Sequence, residues 1–298
     1  MSIEDLYSKV QELQTVWKQR LTASTPETFQ ELQTERNDSF RTTLEPLVYD
    51  ILRNRFHEKL THIWTSYTPP KQSKYAFVIV ERREHPNFEW ILKNIAWAGP
   101  YLSVYIFCSD LNEQYIRTIL GDKADAYHLR SVFKGNPSRE RGKKEVDNLL
   151  SNWQIYASIE SVYSLTVEMD CFFRKKIPKE IFTGDYWGCT WGWQTEQPGG
   201  GGLTIRKNSS MVELCRKYKP DLEQDLHCSQ DCWLALRTMD EDLDFPRLEF
   251  RVQYLMENIL RPDAVGVHQF WTYLFTTPLD NKEQWCAFVS HILTLETI

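Results

Sequence analysis

The sequence predicts an α/β protein with a helical stretch at its N-terminus, and three observations lead there. Short continuous apolar runs rich in β-branched residues recur at Tyr75–Val80, Leu102–Cys108 and Val162–Val167, the pattern of strands buried on both faces of a parallel sheet. Helical segments stand between these runs, so the order from Tyr75 onward is β-α-β-α. Before Pro69 the patterning is helical only.

In that first stretch Leu6, Val10, Leu13 and Trp17 fall on one helix face. Thr25-Pro26-Glu27-Thr28 reads as an N-cap followed by Pro at the first helical position. A third helix fits Leu44 to Trp64, with Leu47, Ile51, Phe56, Leu60 and Trp64 inward. The Pro-Pro pair in Tyr67-Thr-Pro-Pro-Lys71 then breaks the pattern as a linker. Two units follow. Residues 1–68 form a helical region that either caps its neighbour or acts as an oligomerisation arm, with a homodimer as the simplest assembly. Residues 69–298 form the α/β unit.

Within that unit Glu81-Arg-Arg-Glu-His-Pro86 is a polar loop, and helices fit Phe88 to Trp97 and Leu111 to Leu120. Arg130 to Lys144 holds the one basic patch and Gly135-Asn-Pro137. It is expected to be an exposed loop, either simply solvated or meeting phosphate or another anion. Val146 to Ser158 is expected to be helical.

Composition narrows the class. The chain has 298 residues, a net charge of −6, 26% charged and 42% hydrophobic residues. That excludes a disordered chain, a collagen and a disulfide-stapled mini-domain. Mild acidity argues against a broad nucleic-acid-binding face. No run of about 18 apolar residues predicts a membrane span. The acidic Met1-Ser-Ile-Glu-Asp-Leu start lacks the features of a secretory signal. Seven scattered Cys without a CxxC pair fit reduced thiols and a cytoplasmic location. The 11 Trp are left over, since Trp serves both cores and binding sites.

The residues with chemistry begin at the end of the third run. Glu168 and Asp170 stand where a parallel strand delivers side chains to a ligand, and residues i and i+2 share a face. Together they can hold a divalent cation, although strand-end carboxylates are also common in solvated turns. Three Trp, at 187, 191 and 193, precede the four glycines Gly199 to Gly202. Glycine lets backbone approach a ligand, and Trp can stack on a sugar ring or simply fill the core. Asp231 begins an apolar helix. It reads either as a carboxylate placed for the helix dipole or as a general base for an acceptor hydroxyl. His268 is a metal or acid/base candidate.

Taken in order, Phe77-Val-Ile-Val-Glu81-Arg82, Asn148-Leu-Leu-Ser-Asn-Trp153, Glu168-Met-Asp170, Gly199-Gly-Gly-Gly-Leu-Thr-Ile-Arg206, Ser229-Gln-Asp231 and Gly266-Val-His268 resemble an uncharacterised glycosyltransferase-like domain family. That family occurs in bacteria and large DNA viruses and is related to the GT-A sugar-nucleotide transferases. The resemblance spans residues 75 to about 275. It implies a GT-A-like fold, a Rossmann-like mixed sheet flanked by helices. It also implies that Val80, Glu81 and Arg82, with Trp153, Gly201 and Gly202, hold the nucleotide sugar. Glu168, Asp170 and His268 would bind Mn²⁺ or Mg²⁺, and Asp231 would face the acceptor. The chain departs from the family in having Glu-Met-Asp for Gln-Thr-Asp and in lacking an Asn within the glycine run.

The reading is therefore a metal-dependent transferase. It would take a UDP-sugar or GDP-sugar to a hydroxyl of a glycan or protein, with Trp187, Trp191 and Trp193 as a substrate wall. Two alternatives stay open: a non-catalytic sugar or nucleotide binding module on the same fold, and a glycoside hydrolase with Asp170 and Asp231 as its carboxylate pair.

Overall fold

A computed structural model describes residues 1–219 and 228–298. Its elements are α1 (Ile3–Thr22), α2 (Pro26–Ser66), β1 (Tyr75–Val80), α3 (Phe88–Ala98), β2 (Ser103–Ser109), α4 (Glu113–Leu120), β3 (His128–Phe133), α5 (Arg139–Leu150), α6 (Trp153–Ala157), β4 (Tyr163–Val167), β5 (Cys171–Phe173), β6 (Tyr186–Cys189), β7 (Gly200–Lys207), α7 (Asn208–Tyr218), α8 (Gln230–Asp240), α9 (Leu248–Tyr254), β8 (Leu255–Met256), β9 (Gly266–His268) and α10 (Lys282–Ile292).

The apolar runs become the centre of a six-stranded sheet ordered β3-β2-β1-β4-β7-β6. β1 pairs in parallel with β2 and β4, while β7 runs antiparallel to both β4 and β6, so the sheet is mixed. Side chains alternate between two apolar layers. Phe77 and Ile79 of β1 join the layer built with α1, α2, α3 and α10, and Ala76 and Val78 join the layer under α6, α7 and α8. The fold is thus α/β, with a mostly parallel central sheet flanked by helices and a helical N-terminal region. No described helix is both long and apolar enough to cross a membrane.

Three expectations change. The separate helix from Leu44 does not exist, because α2 runs unbroken through Pro46. An interior Pro costs about 3 kcal/mol. Phe40 and Leu44 before it, and Val48, Tyr49, Ile51 and Leu52 after it, are all buried in one core, and that packing keeps the helix continuous. The basic stretch is not one loop. Its first residues belong to β3, an edge strand on which the exposed Arg130 places a charge at the open edge, and α5 starts at Arg139 behind the Ser138 cap. The expected helix from Val146 to Ser158 is split, because the Asn152 side chain accepts from the Gln154 N–H at 2.9 Å and starts α6 anew.

A second, small sheet ordered β5-β9-β8 sits beyond the end of β4. Its strands are two or three residues long, and it assembles the site.

Candidate functional site

β4 pairs with β7 up to Val167 opposite Leu203, and the Glu168 N–H still donates to the Gly202 carbonyl at 3.0 Å. The chain then turns at Asp170 into β5. There Cys171 lies opposite His268 in the antiparallel β5–β9 ladder, and the Gln269 N–H donates to the Asp170 carbonyl at 3.0 Å. On the other side of β9, Met256 pairs with Val267, which places Glu257 beside His268. Register alone thus gathers groups far apart in sequence.

The His268 ring sits between two carboxylates. Nε2 is 3.4 Å from Asp170 Oδ1, and Nδ1 is 3.3 Å from Glu257 Oε2. Nε2 is buried and has no hydrogen-bond partner among the described residues. Asp170, Cys171 and His268 offer ligand atoms within 4.8 Å of one another. Burial opposes the charge on His268, but Asp170 and Glu257 outweigh it and raise its pKa well above the usual imidazole value. Burial would likewise raise Asp170, yet the charged His268 prevails and holds it below the ordinary range. Glu168 is pushed up to about 7, first by burial and then by the Asp170 charge. The Cys171 thiol is driven far up by burial and stays protonated.

Asp231 stands in the first turn of α8 and is half-buried. Its Oδ2 accepts from the Gly201 N–H at 2.7 Å, and its Oδ1 accepts from the Cys232 N–H at 2.9 Å and from the Ser229 hydroxyl. Next to it, Gln230 is tied to the buried Arg206 guanidinium at 3.0 Å and, through its N–H, to Asp147 at 3.1 Å. The glycine run lies between these groups. A Cβ on Gly200 would stand 2.5 Å from the Trp191 ring and 2.9 Å from Asp231 Oδ2, and one on Gly202 would meet His268 and the Cys171 sulfur. The glycines therefore make room for the site's own side chains, a reason the ligand-approach reading did not contain.

The other expected residues divide. Val80 is half-buried against the α6–α8 layer. Glu81 folds back on its own loop, accepting from the N–H groups of Arg82 and Arg83 at 2.8 Å and from the Arg83 guanidinium. Arg82 is engaged by Glu145 of α5 and lies over the Phe133 ring. Both are committed internally, while the Arg83 side chain is 73% exposed. Trp153 packs with Arg216 of α7, whose guanidinium lies 4.0 Å from the ring centre. Trp187 corrects the expected wall. It is fully buried, its indole N–H donates to the Thr183 carbonyl at 2.9 Å, and it packs edge-on against Phe250. It fills the core and offers no face to a ligand. Trp191 is buried beside Asp231, and its ring lies parallel to that of Trp193, which is 64% exposed.

Sequence reasoning missed Glu257 and the contribution of α2. The Tyr49 hydroxyl donates to the Cys171 carbonyl at 2.9 Å. The Asn87 amide donates to the Met169 carbonyl at 3.2 Å and to Glu45 at 2.9 Å, and Asn87 accepts from Arg53 at 2.6 Å. The acidic turn is thus held on both sides of Asp170. Glu45 itself is pushed up to about 7, by burial and then by Asp170. A signal for Glu257 was present, because a carboxylate after apolar Leu255-Met256 repeats the arrangement of Glu168 after Val167.

Comparison with known proteins gives three results. Residues 136–268 match a family described as a protein of unknown function (DUF5672), a span that begins before α5 and ends on His268. No curated protein matches the chain. Among solved structures the chain is similar to the apo-form glycosyltransferase GlyE of Streptococcus pneumoniae TIGR4. The TM-score is 0.45 and the identity 12%, over 74% of this chain and 64% of that one, so this chain spans just under two thirds of the neighbour's length.

Proposed function

We propose that the protein is a metal-dependent glycosyltransferase that moves a sugar from UDP or GDP to a hydroxyl of a glycan or protein. The observation that carries this reading is the buried, unpartnered His268 Nε2 facing Asp170 at 3.4 Å. It lies at the carboxyl end of a parallel strand, where open α/β sheets take ligands. A buried nitrogen without a partner, opposite a carboxylate, fits a cation between them. Asp170 and His268 would hold it, with Glu168 adjacent. An imidazole in the set suits Mn²⁺ better than Mg²⁺, which favours oxygen ligands. When bound, the cation supplies charge neutralisation for the leaving diphosphate.

This chain's own residues do the rest. Three donors fix the position of the Asp231 carboxylate, which would take the proton of the acceptor hydroxyl if the reaction inverts configuration. If configuration is retained, Asp231 orients the acceptor instead. Trp193 presents an exposed ring on which a sugar face can stack.

The test is incubation with UDP- and GDP-sugars and Mn²⁺, with release of nucleoside diphosphate as the readout. Release that Asp170→Asn and Asp231→Asn each abolish is the expected result. A thermal shift with nucleotide but no turnover would replace this reading with a binding module. Metal-independent glycoside cleavage would replace it with a hydrolase.

A further inference from the structure

We infer that the buried Arg206 is a positioning residue for Asp231: its guanidinium grips Gln230 and so sets the first turn of α8, from which Asp231 faces the glycine run. The inference deepens the proposed transferase site and rests on that reading for its effect on transfer.

Arg206 is fully buried on β7, between β4 and β6. A buried ion without a counter-charge is costly to keep. Yet among the described residues its hydrogen-bond partners are all neutral. Nε donates to the Thr204 hydroxyl at 2.9 Å, one nitrogen of the fork to the Tyr156 hydroxyl at 2.5 Å, and the other to the Gln230 amide oxygen at 3.0 Å. Replacing a buried ion by an apolar side chain of similar size is often neutral for stability or better, so stability alone does not call for Arg206. What a guanidinium adds is a charged donor, which makes a stronger hydrogen bond than a neutral one, and here it is spent on Gln230.

Gln230 is the first residue of α8 and Asp231 the second. Thr204 and Arg206 share a face of β7, and the bond between them lays the Arg206 side chain back along the strand toward the glycine run. α8 therefore meets β7 at two points. Arg206 holds the Gln230 side chain, and the Gly201 N–H donates to Asp231 Oδ2 at 2.7 Å. The same turn is tied twice more, by the Gln230 N–H donating to Asp147 at 3.1 Å and the Tyr186 hydroxyl donating to the Asp231 carbonyl at 3.3 Å. The contact leaves no slack, because a Cβ on Gly200 would stand 2.8 Å from Asp231 Cβ. Releasing Gln230 frees the start of α8, and the Asp231 carboxylate moves with it.

The test follows the assigned Gly201 amide resonance in full-length protein labelled with ¹⁵N-glycine, for wild type, Arg206→Met, Gln230→Met and Gln230→Glu. Both Met variants are expected to move that resonance away from its hydrogen-bonded position. Gln230→Glu still offers Arg206 an oxygen and is expected to keep it. With UDP- and GDP-sugars and Mn²⁺, the acceptor kcat/KM falls up to about 100-fold in the Met variants, while donor KM and Mn²⁺ uptake stay at wild-type values. A wild-type Gly201 resonance in both Met variants overturns the inference, and so does a loss of Mn²⁺ uptake as large as the loss of transfer. If Arg206→Met fails to fold, the contrast between Gln230→Met and Gln230→Glu decides. If wild type releases no nucleoside diphosphate, the transferase reading falls and the Gly201 resonance alone decides whether Arg206 positions Asp231.

Discussion

His268 stands directly opposite Cys171 in the β5–β9 ladder, and this register is what carries its Nε2 to within 3.4 Å of Asp170. The pairing spans nearly a hundred residues of chain yet depends on strands of three residues each. Strands so short are not stable alone. They hold because Tyr49 of α2, Asn87 ahead of α3 and Gly202 of β7 bond the adjoining turn, and the α2 and β7 sides can be tested.

Gly201→Ala is expected to be far more damaging than an ordinary Gly→Ala change. The residue occupies a positive φ, and the added Cβ enters the space of Glu257 and His268. A left-handed non-glycine residue costs about 1 kcal/mol or more before any clash. The variant is predicted to melt at a lower temperature and to bind Mn²⁺ more weakly than wild type. Wild-type behaviour in calorimetry and metal titration would show that the contact is not needed.

Tyr49→Phe removes only the hydroxyl that donates to the Cys171 carbonyl. Leaving that buried carbonyl unpaired costs about 1–3 kcal/mol, and the loosened turn should weaken Mn²⁺ binding. Tyr7→Phe is the control, since Tyr7 makes the same kind of bond to the Leu279 carbonyl at 2.8 Å, away from the turn. Metal titration is predicted to separate the two variants. Equal effects would mean that α2 stabilises the protein without setting the position of Asp170.

The tryptophans should behave in opposite ways. Trp187→Ala empties a fully buried site and is expected to cost about 3–5 kcal/mol in urea unfolding. Trp193→Ala removes an exposed ring and is expected to leave unfolding unchanged while raising the acceptor KM about 10-fold, the worth of roughly one stacking contact. An unchanged acceptor KM would remove Trp193 from the substrate surface.

Stability at low pH should report on Asp185. Burial favours its neutral form, but the Ser210 hydroxyl at 2.6 Å, the Asp244 N–H at 2.9 Å and Lys207 at 3.1 Å outweigh it and hold the pKa below the ordinary 3.8. A depressed folded-state pKa means that the contribution is full above the unfolded value and is lost as pH falls through the folded one. The stability difference between wild type and Asp185→Asn, about 1–2 kcal/mol near neutrality, is therefore predicted to shrink over the acid window that opens below about pH 4, the unfolded value, and runs down through the depressed folded value. A difference that stays constant over that window in urea titrations would contradict the assignment.

How far the sequence could be read follows from how each element is stabilised. β1, β2 and β4 are continuous apolar runs because both their faces are buried, and such runs announce themselves. β3 hid at the start of a basic stretch because an edge strand accommodates a charged residue such as the exposed Arg130, and the separate helix expected from Leu44 is part of α2 because tertiary packing, not propensity, keeps that helix whole through Pro46. β5, β8 and β9 are too short to have any period, so the carboxylate after Leu255-Met256 gave no hint that Glu257 lies beside His268, whereas the order of motifs singled out Asp170, Asp231 and His268 as candidates. The glycine run was legible as a place of close approach. Which side chains approach it depends on contacts between distant segments, which local pattern does not encode.

The central claim is that Asp170 and His268 form one cation site, and electron paramagnetic resonance titration with Mn²⁺ tests it most directly. Wild type is predicted to take up Mn²⁺. Asp170→Asn and His268→Ala, compared at a temperature where each is folded, should each bind at least about 10-fold more weakly. Wild-type Mn²⁺ uptake by both variants, or no uptake by wild type even with a nucleoside diphosphate present, would contradict it.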